Sequence, residues 1–372
     1  MRQLLIVTVL LILYGSFYPW HFVVPPGPFW QPVSFSDKRD LILNFWLYAP
    51  VGALAFWVFV RNGVLRWIIP PCLGLALSTC VELVQPFIPT RDSSLGDLLM
   101  NSLGALAGMF LAAWVGSVPE FSRWQVRRSP EAFLLACWAA LLLFPLFPVH
   151  GPFGLMVNIR AFQASPFVWT DLVVWSIAWV VAWELIPGAF VRGRNWIVMG
   201  LLLLFLPARL FLILRVLTKA EVAAGLLALC LAFFVRRLRI APWTLFAAVL
   251  VALALRGLTP LEFSEFATPF GWIPLGGLLN APWQSAVLIL IGKVFWYGSA
   301  LWALCRCGVG LGWSGALLAV FLLGIEMIQR YMPAHVPEIT DPLLVLGCAA
   351  AFRVAFRTPV TQAAEQPHPL AR

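Results

Sequence analysis

The chain has 372 residues, 62% of them hydrophobic and only 11% charged, with a mean hydropathy of +0.90, against the roughly one-quarter charged content of soluble domains. That excludes a water-soluble globular fold for most of the chain. It also makes the net charge of +9 a topology signal, set by where Lys and Arg fall, and argues against nucleic acid as a partner.

Apolar stretches of about 17 to 22 residues recur along the whole chain, each long enough for a hydrocarbon core about 30 Å thick. They fall near 4–20, 41–60, 67–87, 97–115, 132–148, 170–190, 196–213, 220–235, 241–258, 284–304, 312–332 and 341–356. Lipid offers no hydrogen-bond partner to the backbone, and the stretches are too long and too apolar for alternating barrel strands. The expected fold is all-α, a polytopic membrane protein of about twelve transmembrane helices. Arg2 precedes the first stretch as in a signal peptide, but no small-residue cleavage site follows and the segment from Tyr14 to Trp20 is bulky, so this reads as a retained helix.

Alternate loops are basic: Arg61 and Arg66; Arg123, Arg127 and Arg128; Arg192 and Arg194; Arg236, Arg237 and Arg239; Arg306; and Arg353 with Arg357. The positive-inside rule places these loops and both termini in the cytoplasm. The opposite, extracytoplasmic loops hold most of the acids, including Asp37, Asp40, Asp92, Asp97, Glu262, Glu265, Glu338 and Asp341. The seven cysteines lie singly in apolar segments, apart from Cys305 and Cys307, and offer neither a disulfide framework nor a metal-ligand spacing. No metal or other cofactor is expected, and membrane lipids are the expected surroundings.

Residues 82–97 (ELVQPFIPTRDSSLGD) and 326–341 (EMIQRYMPAHVPEITD) share a register. Glu82, Gln85, Pro89 and Asp97 match Glu326, Gln329, Pro333 and Asp341, while His335 replaces Arg91. Upstream, Tyr14-Gly15 parallels Arg256-Gly257, and Asn44 and Tyr48 parallel Lys293 and Tyr297. A fainter third set has Phe144-Pro145-Leu146-Phe147 closing a helix and Arg215 six residues before Glu221. Self-similarity of this kind implies modules: three of four helices each, at 1–118, 119–239 and 240–358, with a cytoplasmic tail at 359–372. Even-helix modules repeat in parallel orientation, unlike the inverted repeats of many transporters.

Glu82 and Gln85, three residues apart, share a helix face, and Asp97 and Asn101 do so at i and i+4. With Arg91 between them, five polar groups meet near one outer end. Either Glu82 and Arg91 pair to make a helical hairpin tolerable, or the cluster binds a ligand, since ionisable groups in membrane segments mark function by default. The third module offers Glu326, Gln329, His335 and Asp341, with Lys293 as counter-ion to Glu326. Gly104 and Gly108 form a small-residue stripe for close helix packing. Asn44 lies ahead of Pro50 and Gly52 and is placed to hydrogen-bond across the bundle. No Ser-His-Asp order and no Gly-rich phosphate loop occurs, and no catalytic residue is assigned.

Taken together, NFWLYAPVG from Asn44, ELVQPFIPTR from Glu82 and DLLMNSLGALAG from Asp97 resemble the VanZ-like family. The resemblance is clear over 14–110 and degraded over 256–348, where Lys293, Ser299, His335 and Val345 depart from the pattern. It implies a bacterial inner-membrane protein of the cell envelope, in a family tied to low-level teicoplanin resistance and to envelope polysaccharide, with no agreed reaction. Three functions follow: binding of an amphiphilic, lipid-linked glycan or glycopeptide at the extracytoplasmic face, with Arg91 on an anionic headgroup; an intramembrane enzyme using Glu and Asp as acid and base; or a transporter.

Overall fold

The computed structural model describes residues 1–24, 38–89, 91, 93–117, 129–144, 149, 151–190, 195–212, 216–234 and 240–356. Asp37, Asp92, Pro145-Leu146-Phe147, Arg215, Arg357, the 359–372 tail and the basic residues at 123–128, 192–194 and 236–239 lie outside the described residues.

The chain forms two compact units, Met1–Arg123 and Trp124–Arg372. In the first are α1 (Arg2–Phe17), α2 (Lys38–Val58), α3 (Leu65–Val84), a 3₁₀ turn (Gln85–Phe87) and α4 (Leu95–Ser117). The second contains α5 (Pro130–Leu143), α6 (Gly151–Ala164), α7 (Trp169–Ala189), α8 (Asn195–Ala208) and a second 3₁₀ turn (Arg209–Phe211). It continues with α9 (Lys219–Phe234), α10 (Pro242–Leu258), α11 (Gly276–Leu279), α12 (Trp283–Arg306), α13 (Leu311–Gln329) and α14 (Thr340–Ala355). The described residues are all-α; their one isolated bridge joins Gly271 to Glu338.

Six segments, Leu41–Val58, Leu65–Phe87, Leu95–Trp114, Trp169–Ala189, Ser285–Arg306 and Leu311–Gln329, are long and apolar enough to cross a membrane. The protein is therefore a polytopic membrane protein. Four further apolar helices are shorter: Arg2–Phe17, Pro130–Leu143, Ile197–Phe211 and Pro242–Leu258. Prolines account for several early ends, because the residue before a proline is pushed out of the helical region. Thus α1 stops at Phe17 with Tyr18 extended before Pro19, and α5 stops at Leu143 with Phe144 extended. Near the end of α3, Pro86 cannot donate to the α ladder, and the chain tightens into the 3₁₀ turn. Helix α6 lies where no span is expected; Asn158 anchors it by donating to the Leu210 and Leu212 carbonyls at 2.8 and 2.9 Å.

In the first unit α2 and α4 touch backbone to backbone. A Cβ on Gly104 would stand 2.0 Å from the Phe45 carbonyl oxygen, one on Gly108 1.9 Å from that of Ala49, and one on Gly52 1.7 Å from that of Ala105. Only hydrogen fits in such a seam, which is how packing replaces the hydrophobic effect in lipid. The second unit has its own core, in which Trp138 stacks on Phe295 and meets Trp179 edge-on.

Candidate functional site

Glu82, one helical turn from the end of the α3 segment, is buried, and its Oε2 accepts the backbone N–H of Ser94 at 2.9 Å. Ser94 caps α4 in turn, its Oγ accepting the Gly96 N–H at 3.0 Å. A buried carboxyl thus closes the α3–α4 loop by accepting a backbone N–H. Asn101 is buried and donates to Ser78 Oγ at 2.9 Å, while its Oδ1 has no partner among the described residues. Tyr48 is buried beside Ser78 and Glu82, and its hydroxyl finds no partner of good geometry among the described residues.

Asp97 is half-buried and close enough to Glu82 for the two carboxylates to repel. Gln85 ends α3 with a buried Oε1 that has no partner among the described residues, and Asn44 stands half-buried on α2. Arg91 is exposed, and its Nη2 donates to the Gly15 carbonyl at 3.3 Å. The simple Glu82–Arg91 pair expected of a helical hairpin does not form: Ser94 N–H takes the carboxylate, and a backbone carbonyl takes the guanidinium.

At the matched positions of the second unit, Glu326 is buried and its Oε2 accepts the Glu338 N–H at 2.8 Å. Gln329 is buried at the end of α13 and donates Nε2 to the Gly257 carbonyl at 2.7 Å. Lys293 pairs with Asp341. Helix α12 packs on α14, whose first turn presents Asp341 to Lys293, and the Lys293 charge also acts on the adjoining Glu326 carboxyl, which holds a loop N–H. The Glu326 and Asp341 carboxyls adjoin, with the Tyr297 hydroxyl beside Asp341. His335 is half-buried, its Nε2 enclosed and without a partner among the described residues.

Lys293, Glu326, Gln329, His335 and Asp341 line a single cavity of about 230 Å³. Arg256, Trp296, Tyr297 and Glu338 complete its polar and aromatic wall. Between the two clusters in sequence, Arg209 and Glu221 form a buried ion pair at 2.9 Å. Thr218 and Glu221 exchange backbone-to-side-chain bonds at 3.0 and 3.3 Å, a capping box that starts α9.

The first cluster, with its α3–α4 loop tied by a buried Glu, is the part of the chain that a known family covers. Residues 3–116 match the VanZ/LLP1 family. Neither the curated proteins nor the solved structures contain a match to the chain. The VanZ/LLP1 segment holds Asn44, Glu82, Gln85, Arg91, Asp97 and Asn101 and lies wholly within the first unit.

Sequence reasoning missed two polar neighbours of these candidates. Ser78, the partner of Asn101 in the VanZ/LLP1 segment, stands four residues before Glu82 on the same helix face, a spacing that signals it. Arg256, a cavity residue of the second unit, stands near the end of the apolar helix α10. Its place in the last turn of an apolar helix, where long basic side chains are ordinary, gives no comparable signal.

Chemically, the cavity combines a guanidinium, an ammonium, an imidazole, an amide and adjoining carboxyls with two aromatic rings. That inventory suits recognition of a polar headgroup carrying both hydroxyls and charge.

Proposed function

We propose that this is a VanZ-like bacterial envelope membrane protein that binds an amphiphilic, lipid-linked glycan or glycopeptide at the extracytoplasmic ends of its helices. The observation that carries the reading is the 230 Å³ cavity, where all five candidates of 240–358 converge. Such convergent polar groups in a concave site are the usual mark of ligand binding.

The wider architecture proposed is three parallel four-helix modules in the inner membrane, both termini cytoplasmic, with 240–358 a degraded second VanZ-like copy. The matched Glu82–Ser94 and Glu326–Glu338 bonds support it. So do the two 3₁₀ turns and the helix starts at Leu95 and Lys219, which recur 124 residues apart.

Mass spectrometry of lipids that co-purify with the wild type, Glu326→Gln and Lys293→Ala tests the reading. A lipid-linked species retained by wild type and lost from both variants supports it; bulk phospholipid alone in all three overturns it.

The adjoining Glu326 and Asp341 carboxyls beside His335 favour a second reading, acid–base catalysis on the same class of substrate. It requires wild type to turn over the co-purifying species while Glu326→Gln retains it unchanged.

A further inference from the structure

The hydrogen bonds around the cavity leave an uneven remainder. Each of its three acids is engaged: Glu326 by the Glu338 N–H, Asp341 by Lys293, and Glu338 by the Gly277 N–H at 3.0 Å. Gln329 is likewise committed to Gly257. Two groups are not. Arg256 makes no hydrogen bond or ion pair among the described residues: Asp171 and Asp341 act on its charge without bonding it, its guanidinium stands 5.9 Å from the Trp296 ring centre, and the residue stays accessible where it borders the cavity. His335 Nε2 is enclosed and without a partner among the described residues.

By charge alone the lining favours a cation, since Glu326, Glu338 and Asp341 outnumber Arg256 and Lys293. What decides against that is that the acids already have donors, whereas a guanidinium with five N–H donors does not have an acceptor. A guanidinium that borders the cavity with its donors unused is open to a ligand, and an oxyanion held through two parallel hydrogen bonds is its natural complement.

The surroundings say what the oxyanion is attached to. At about 230 Å³ the cavity is smaller than the roughly 300–1,000 Å³ of sites that enclose a whole drug-sized ligand, so it takes a headgroup. Val336 lines it and is 77% exposed. Phe266 and Trp272, 82% and 72% exposed, lie on the segment held by the Thr268–Arg330 and Gly271–Pro337 backbone bonds. An exposed apolar residue in the lining, and two more on the segment bonded to the loop that carries His335 and Val336, suit a lipid tail and do nothing for a free anion.

We infer that this cavity seats the phosphate-type headgroup of a lipid-linked ligand, with Arg256 as its main partner and His335 as the second. The inference rests on the amphiphile-binding reading above and assigns its chemistry.

The test is calorimetric titration of the full-length protein in phosphatidylcholine nanodiscs with farnesyl phosphate, farnesol, inorganic phosphate and an alkyl glucoside. Farnesyl phosphate should bind wild type at least about tenfold more tightly than farnesol or inorganic phosphate, and Arg256→Gln should lose roughly tenfold or more. Arg256→Lys, which keeps the charge without the fork, should lose less, and Arg353→Gln, at the other end of α14, nothing. If Arg256→Gln does not fold, the wild-type preference and the loss in His335→Ala decide.

Equal binding of farnesyl phosphate by wild type and a folded Arg256→Gln overturns the inference. Binding of the alkyl glucoside but not farnesyl phosphate overturns it while leaving the amphiphile reading intact. Inorganic phosphate matching farnesyl phosphate overturns the lipid linkage. Failure of every amphiphile to bind overturns both.

Discussion

Glu326 Oε2 accepts the backbone N–H of Glu338 at 2.8 Å, twelve residues further along the chain, and Glu82 Oε2 does the same for Ser94 at 2.9 Å. In both places a buried carboxylate, drawn from the last turns of a helix, fixes the loop that leads into the next one. Leaving a buried donor without its acceptor costs about 1–3 kcal/mol. Glu82→Ala should therefore lower stability by about 2 kcal/mol, and Glu82→Gln, which keeps an acceptor oxygen, by less. Thermal unfolding in detergent reads the difference, and two variants as stable as wild type would show the bond to be dispensable.

The α2–α4 seam permits no side chain. With the Phe45 carbonyl oxygen only 2.0 Å from a Cβ at position 104, Gly104→Val must push the helices apart, at a cost of roughly 1–3 kcal/mol or more. Gly200, whose added Cβ meets nothing within 4 Å, is the matched control. Size-exclusion recovery and melting temperature of Gly104→Val and Gly200→Ala should separate clearly; similar values for both would mean the seam relaxes freely.

The Arg209–Glu221 pair is buried on both sides. Removing one partner strands a charge and typically costs about 3–5 kcal/mol, whereas replacing both with apolar residues costs far less. Arg209→Met and Glu221→Leu should each destabilise strongly, with the double variant more stable than either. A double-mutant cycle by thermal unfolding measures the coupling, and additive losses would exclude the pair as an energetic unit.

The proposed orientation is open to labelling in a cysteine-free background. Val336→Cys, in the exposed loop before α14, should react with an impermeant maleimide in intact spheroplasts. Val64→Cys, 70% exposed in the α2–α3 loop, should react only after lysis. The reverse pattern inverts the topology.

Lys293 and Asp341 provide a fifth check. Exchanging them as Lys293→Asp with Asp341→Lys should recover part of the stability that either single change removes, because the two face each other across α12 and α14. Absence of any recovery in the melting temperature would mean that other groups in the cavity dictate the orientation of the pair.

Composition alone determined the membrane character and the all-α class. A lipid solvent requires long apolar segments whose backbone bonds to itself, and that requirement is written residue by residue. Spacing likewise made the two E-x-x-Q registers and the Asp97–Asn101 pair legible, since i and i+3 or i+4 is a local property of a helix. Helix α6 escaped because it is short and carries Asn158, Arg160 and Gln163, so hydropathy gives it no span.

Partnership was a different matter. Gln329 meets Gly257 across 72 residues and Lys293 meets Asp341 across 48. Arg256 borders the cavity because α10 lies against α12 and α13. Which donor reaches which carboxylate is set by how helices distant in sequence pack and rotate about their axes, and no local spacing encodes that. Tertiary structure alone turned a row of polar residues into one cavity with its acids engaged by hydrogen bonds and a guanidinium whose donors are unused among the described residues.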